Sequence, residues 1–270
     1  MLTHTRPIFV TKIDGINKIR QTINTFQATD QDGAFYISSS VDMRNITIEG
    51  TIVADKLDDV RKWVSILLRS FTPKSQGVLS FHDRQISCIV EESNILQSEI
   101  GRAPNFFVSL LCPYPFFEYP DEIKTDLAVW ESLWEIPWEI PEDGFIFSSR
   151  QSVDTGDIQN IGDVPCGIRI VFRATGGVTS PEIVNSSTGE FIRIDKIMAP
   201  GEEIQITTHF ANKRVISIIG STETNVFFAI APGSSFFQLD VGINSLTYDA
   251  ASGADLLEVS IFHRPQFLGV

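Results

Sequence analysis

The residues with the sharpest chemical meaning in this chain of 270 are Val153-Asp154-Thr155-Gly156. Asp-Thr-Gly surrounds the catalytic carboxylate of an aspartic protease, where two carboxylates share one proton because adjacent like charges cannot both ionise. That chemistry needs a second copy of the triplet or a symmetric dimer. No second Asp-Thr-Gly or Asp-Ser-Gly occurs, and Ser148, Ser149, Gln151 and Ser152 make the lead-in polar rather than a buried strand. The triplet reads as a polar linker turn. The four histidines, His4, His82, His209 and His263, are scattered and never stand at metal-ligand spacing with a carboxylate or a cysteine. Asp55, Asp58 and Asp59 could gather a cation, but acids at a helix start are explained by the helix itself.

His209-Phe210-Ala211-Asn212-Lys213-Arg214 carries the His, Asn and Arg with which galectins grip a sugar, at looser spacing and with no Trp following. A turn between two strands explains the segment better. The three cysteines, Cys88, Cys112 and Cys166, are far apart, odd in number and in no CxxC arrangement. They read as buried thiols in a reducing compartment. No serine stands in a nucleophile elbow, and no Gly-rich phosphate loop opens a helix. The sequence therefore assigns no catalytic residues, no cofactor-binding residues and no metal ligands.

The elements that must position these side chains are mostly strands. In the first half, Ile46, Ile48, Gly50 and Ile52 alternate with polar residues through Arg44–Ala54. Asp55 offers an N-cap to a helix near 56–71, with Leu57, Val60, Val64, Leu67 and Leu68 on one face and Pro73 and Gly77 closing it. Asp58 and Asp59 suit its positive end and Arg69 its negative one. Further strands are predicted at Pro7–Ile13, turned by Asp14-Gly15, at Ala34–Ser40, and at Asn105–Cys112, ended by Pro113 and Pro115. Val78–Phe81 and Gln85–Glu91 form a hairpin.

From Val164 the pattern is purely β. Strands are predicted at Gly167–Arg173, Pro181–Val184, Glu190–Asp195, Glu203–Thr207, Lys213–Ile218, Val226–Ile230 and around Leu257–Ile261. Phe236–Ala250 reads as a hairpin, with Phe237, Leu239 and Val241 leading into a Gly242/Asn244 corner and Leu246 and Tyr248 returning. Regular strands without helices between them predict an antiparallel sandwich. Between the halves lies a short repeat, Trp134-Glu-Ile-Pro137 and Trp138-Glu-Ile-Pro141, with Trp130 upstream. Prolines four apart forbid a helix, so this connector should be extended and should pack its aromatics on a neighbouring domain or subunit, with ligand stacking as the alternative. The expected domains are 1–117, 118–150 as connector, and 151–270.

Composition limits what such a chain can do. With 34 acidic against 21 basic side chains the net charge is −13, the opposite of what phosphate binding requires. Twenty phenylalanines in a 43% hydrophobic chain supply a substantial core. The N-terminus has no apolar stretch of signal-peptide length and no run could span a bilayer, so a soluble, non-secreted product made in the cytoplasm is expected.

Several segments, in order, resemble one family. They are Pro181-Glu-Ile-Val-Asn185 with Thr188-Gly-Glu190, Pro200-Gly201-Glu202 leading to Ile206-Thr207-Thr208, and Phe236–Ala250. In the first half they are the Arg44–Ala54 strand running into a helix with Trp63, Gly77-Val-Leu79-Ser-Phe81, and Pro113-Tyr-Pro-Phe-Phe117. Together they resemble the distal tail proteins of long-tailed bacteriophages, the siphophage tail component family. The resemblance implies a mainly β fold: an N-terminal β-sandwich-like domain with one α-helix, and a C-terminal galectin-like antiparallel β-sandwich. It implies a virion structural protein rather than an enzyme, a homo-hexameric ring at the tail tip that joins the tail tube to the hub or baseplate. Its implied partners are itself, the tail tube protein, the tail hub or tail-associated lysin, and receptor-binding proteins. No membrane is involved, and DNA passes through the ring without specific binding. A galectin-like topology does not by itself carry sugar binding. The alternative function is a carbohydrate-binding module that recognises host cell-wall glycan through the C-terminal sandwich.

Overall fold

The computed structural model describes residues 6–96, 103–132, 148–152 and 155–270. These fall into two compact units, residues 1–120 with 267–270, and residues 121–266. The fold is mainly β, with one α-helix among the described residues.

In the first unit the strands are β1 (Ile8–Asp14), β2 (Gln21–Phe26), β3 (Phe35–Val41) and β4 (Arg44–Ile52). Helix α1 (Leu57–Ser70) follows, then β5 (Gln76–Phe81), β6 (Arg84–Leu96), β7 (Asn105–Cys112) and β8 (Phe117–Glu118). The main sheet runs β1-β4-β7-β6-β8, with β5 also paired to β6. Strand β4 alternates strictly between buried and partly exposed residues, so Ile46, Ile48 and Ile52 enter the core as their spacing predicts. Gly50 has to be glycine, because a Cβ there would lie 2.4 Å from the Phe9 carbonyl oxygen and 2.5 Å from the Phe106 ring. At Gly15 the chain turns with φ +92°, and a Cβ would stand 2.1 Å from the Asn45 carbonyl oxygen.

The helix buries Val60 and Leu67, with Trp63, Val64 and Phe71 packed beside them. Leu57 and Leu68, expected on that face, are 48% and 45% exposed. The i, i+3, i+4, i+7, i+11 row through Val60 won because Trp63 and Phe71 offer more area to bury than two end-of-face leucines. The N-cap is Lys56, without a side-chain capping bond, rather than Asp55. Asp55 instead faces Arg6 at 3.2 Å on the surface.

The second unit contains β9 (Ile123–Ser132), β10 (Ser148–Ser152), β11 (Thr155–Asn160), β12 (Ile168–Ala174), β13 (Val178–Asn185), β14 (Phe191–Arg193) and β15 (Ile197–Met198). After these come β16 (Glu203–His209), β17 (Asn212–Ile219), β18 (Thr222–Asn225), β19 (Gly242–Ser252) and β20 (Leu257–His263). A seven-stranded antiparallel sheet, β10-β9-β20-β12-β16-β17-β18, faces a five-stranded one, β11-β19-β13-β14 with β15 beside β13. Alternate residues of both sheets fill the space between: Ile170, Phe172, Ile206 and Ile261 from one, Ile158, Ile183, Ile192 and Leu246 from the other. This is the predicted antiparallel sandwich.

Three expectations change here. Val226–Ile230 is a short 3-10 turn rather than a strand, with strand β18 just before it. Phe236–Ala250 is not a hairpin. Its first arm joins no named strand; its one backbone bridge runs from Leu239 to Cys166, while β19 pairs with β11 and β13. The corner is shaped by the Asn244 side chain, which accepts from the Asp240 N–H at 2.9 Å and donates to the Asp240 carbonyl at 2.8 Å. Phe237, Leu239 and Leu246 are core as expected, whereas Val241 is 54% exposed. Third, part of the expected connector, Ile123–Ser132, is strand β9, hydrogen-bonded to β20. The Trp134/Trp138 repeat lies outside the described residues.

The chain also returns where the sequence divided it. After β21 (Gln266–Phe267), which joins the first unit's sheet next to β8, residues 267–270 belong to the first unit rather than to the second domain. Phe267 is buried in that unit's core. The Arg84 guanidinium lies 3.7 Å from the Phe267 ring centroid and hydrogen-bonds to the Gly269 carbonyl. Arg44, only 3% exposed, donates to the carbonyls of Pro115 (2.8 Å), Leu268 (2.6 Å) and Ile16.

Candidate assembly and binding surfaces

The residues singled out for chemistry do not converge. Asp154 and His4 lie outside the described residues, while Thr155 and Gly156 open strand β11. His82 sits in the β5–β6 turn with φ +55°, edge-on to Phe81. His263 is 1% exposed, and neither ring nitrogen has a well-formed hydrogen bond. Burial lowers its pKa more than the nearby Gln159 backbone raises it. The cysteines are free and buried; burial pushes the Cys112 and Cys166 thiols up to about 12, which leaves them protonated and unreactive at neutral pH. Among the described residues, no group of three His, Cys, Asp or Glu could hold a metal ion.

Surface, not chemistry, is what the first unit displays. Strands β2 and β3 pair with each other alone, as a two-stranded sheet separate from the others. Every residue of both strands is exposed. Among them are Ile23 (58%), Phe26 (57%), Phe35 (58%), Tyr36 (65%) and Ile37 (63%). An isolated hairpin is marginally stable in water, and this many exposed large apolar side chains on one suits an interaction site. At its base Arg20 and Asp42 are joined by a backbone hydrogen bond of 2.9 Å, and the Thr22 hydroxyl donates to the Asp42 carboxylate at 2.7 Å. The same unit has an apolar groove of about 670 Å3 between α1 and the sheet, lined by Val10, Trp63, Leu67, Phe71, Leu79 and Val90 among others. Strand β5, at its rim, pairs with β6 only and leaves Val78 58% exposed.

The second unit offers a different surface: the outer face of its seven-stranded sheet. Here Arg173 spans Glu203 (3.3 Å) and Glu258 (4.0 Å), and Lys124 meets Asp126 at 2.8 Å. Arg169 binds Glu122 at 2.5 Å while its guanidinium lies 3.8 Å from the Phe262 ring centroid. Burial works to raise the Glu122 pKa, but Arg169, with Arg264 and His209, outweighs it and holds the carboxyl below its usual range. Cross-strand register pairs His209 with Asn212 and Thr207 with Arg214, so the three residues of the sugar-like set share this face. His209 backs onto Gly167, where a Cβ would come within 2.7 Å of Nδ1, and burial lowers its pKa despite the opposing pull of Glu122. The imidazole is therefore neutral at physiological pH.

On the buried side of this sheet, Glu202 is 1% exposed. It accepts from Lys196, from the Ser217 hydroxyl and, at 3.0 Å, from the Ala199 N–H. Burial alone would raise its pKa; these partners bring it below the ordinary value. The sequence named Glu202 only as part of the Pro200-Gly201-Glu202 segment; its burial and its Lys196 and Ser217 partners have no signal in spacing.

Two family models match the sequence. Residues 1–112 match the phage tail protein RIFT-related domain, and residues 161–267 match the siphovirus-type tail component, C-terminal domain. The chain belongs to the siphophage distal tail protein family. Its fold is similar to the crystal structure of the Dit protein of phage SPP1, with TM-score 0.73, 14% identity, and coverage of 96% of this chain and 93% of that one. It is also similar to a chain of the phage P2 baseplate in its activated conformation with Ca, at TM-score 0.51 and 9% identity, covering 98% and 92%. No curated protein matches the sequence. The members of the matched families are structural parts of phage tails, and a tail or baseplate role follows for this chain. No helix among the described residues is long and apolar enough to cross a membrane.

Proposed function

We propose that the chain is a ring-forming subunit of the tail tip, assembling with itself as a homo-hexamer that joins the tail tube to the hub or baseplate around the DNA channel. The β2–β3 hairpin carries this reading. It is an exposed apolar hairpin paired to no other strand, and if it docks on a different surface of the next copy the contact is head-to-tail, the kind that closes into a ring when the rotation between copies divides a full turn. The SPP1 protein is described as a paradigm of the hub adsorption apparatus in phages that infect Gram-positive bacteria. The same place in a virion suits this chain. The reading has no catalytic step, and its remaining partners are the tube protein, the hub or tail-associated lysin, and receptor-binding proteins. Synthesis is in the host cytoplasm, with the finished protein at the tail tip.

The net charge of −13 fits a lumen that repels DNA and lets it pass without sticking. Light scattering with negative-stain imaging of the purified chain, alone and mixed with tube protein, tests the proposal. Six-fold rings are expected; a species that stays monomeric under both conditions overturns it.

A further inference from the structure

We infer that a hollow at the β17–β18 edge of the second unit binds an acidic saccharide. The hollow measures about 240 Å3, and its lining includes Lys213, Arg214, Glu223, Thr224, Asn225 and Phe227. That is below the roughly 300–1,000 Å3 of drug-sized pockets, which suits a single ring-sized unit of a longer chain. Register pairs Asn225 with Ile216 and Glu223 with Ile218, so Arg214, Glu223 and Asn225 all stand on the open face.

A pyranose presents an apolar C–H face and a rim of hydroxyls, and it is recognised by an aromatic ring together with planar polar groups. Both are present. Phe227 is stacked on Phe236 at 5.6 Å between centroids and 13° between planes, which fixes its ring, yet it remains 44% exposed. The Asn225 side-chain oxygen accepts from the Phe227 N–H at 2.9 Å, which leaves its amide NH2 for a ligand hydroxyl.

The charge pattern selects an acid. Arg169 and Arg173, on the same sheet face, are both engaged by carboxylates. Arg214 has no ion pair or side-chain hydrogen bond among the described residues. Of the two cations lining the hollow, Lys213 has its ammonium 5.4 Å from the Phe236 ring centroid, which leaves Arg214 as the uncommitted one, sharing the hollow with Glu223, on a chain whose overall charge is −13. A guanidinium with all its donors free is shaped for a carboxylate or phosphate group. An acidic peptide added to the β18 edge is the other candidate. It is disfavoured because β18 has only four residues, Thr222–Asn225, all polar and exposed, with no pockets for alternate side chains.

This inference goes beyond ring assembly and does not rest on it. The purified full chain is titrated, by calorimetry, with a panel of acidic oligosaccharides bearing uronate or phosphate groups. Neutral maltohexaose, inorganic phosphate and an Asp/Glu hexapeptide serve as comparisons. At least one acidic oligosaccharide should bind while all three comparisons do not. Arg214→Ala and Phe227→Ala should each weaken that binding at least about tenfold, the loss of one charge-assisted contact or stacking surface. Arg173→Ala, outside the hollow, should leave it unchanged. Because Arg214 is exposed, Arg214→Ala keeps the wild-type melting temperature and separates binding from folding. The inference is overturned if no acidic oligosaccharide binds, if a comparison ligand binds as tightly, or if Arg214→Ala binds like wild type.

Discussion

Two hairpins of similar size in this chain meet opposite fates. The β16–β17 hairpin lies inside a seven-stranded sheet, flanked by β12 and β18, and buries Ile204, Ile206 and Val215 on one face. The β2–β3 hairpin has no strand on either side and buries nothing, although its side chains are as apolar. Backbone pairing is alike in both. The difference is whether a second layer covers the face: in the sandwich the covering sheet belongs to the same chain, and for the arm it has to come from another molecule.

That contrast can be broken by substitution. Replacing Phe26, Phe35 and Ile37 together by serine should abolish self-assembly, leaving monomers by light scattering; rings that survive would show that the arm is not the contact. In the sandwich, Phe172→Ala should cost about 3–5 kcal/mol in denaturant unfolding, the usual loss for a fully buried aromatic truncated to a cavity. Arg44→Met should cost less, about 1–3 kcal/mol, since it takes the Arg44 donor away from the buried carbonyls of Ile16 and Pro115 without opening a large void.

Acid should loosen the sandwich by a smaller amount. His209, His263 and Glu202 all have pKa values below their ordinary 6.5 and 4.5, so the unfolded chain takes up their protons first. Their contribution to stability is whole above those ordinary values. It is lost as pH falls, first for the histidines from about 6.5 downward, then for Glu202 below 4.5. Melting followed against pH should show that order, and Glu202→Gln should flatten the lower step. The smallest effect belongs to the arm: Phe35→Ser in the monomer should change unfolding free energy by less than about 0.5 kcal/mol, because that side chain is exposed.

Much of the fold was legible where one face of a strand is buried and the other is wet. Strand β7 runs Asn105–Cys112 and stops at the prolines expected to end it, and β4 keeps its alternation through Ile52. Alternation failed at Phe236–Val241, where the apolar residues do enter the core but the backbone is held by a single bridge and the Asn244 side chain. Core-seeking side chains at every second position cannot distinguish a paired strand from an irregular segment laid across an open edge of the core. The hollow by Phe227 was missed for the same reason: Val226–Ile230 reads as a strand until the 3-10 turn lifts Phe227 to the surface. Of the sugar-like set, the sequence contained the residue types, and only the register between β16 and β17 put His209, Asn212 and Arg214 on one face.

The sequence by itself determined the class of fold, helix α1, the inward set of β4 and the family, because these rest on local periodicity and on ordered turn residues. Tertiary structure alone decided that β2–β3 stands apart, that Ile123–Ser132 is a strand of the second sheet, and that Phe267 goes back to the first unit's core. The reason is the same in each case. Which strand finds a partner, and which apolar side chain finds a hole, depends on residues tens to hundreds of positions away, and periodicity carries no information about them.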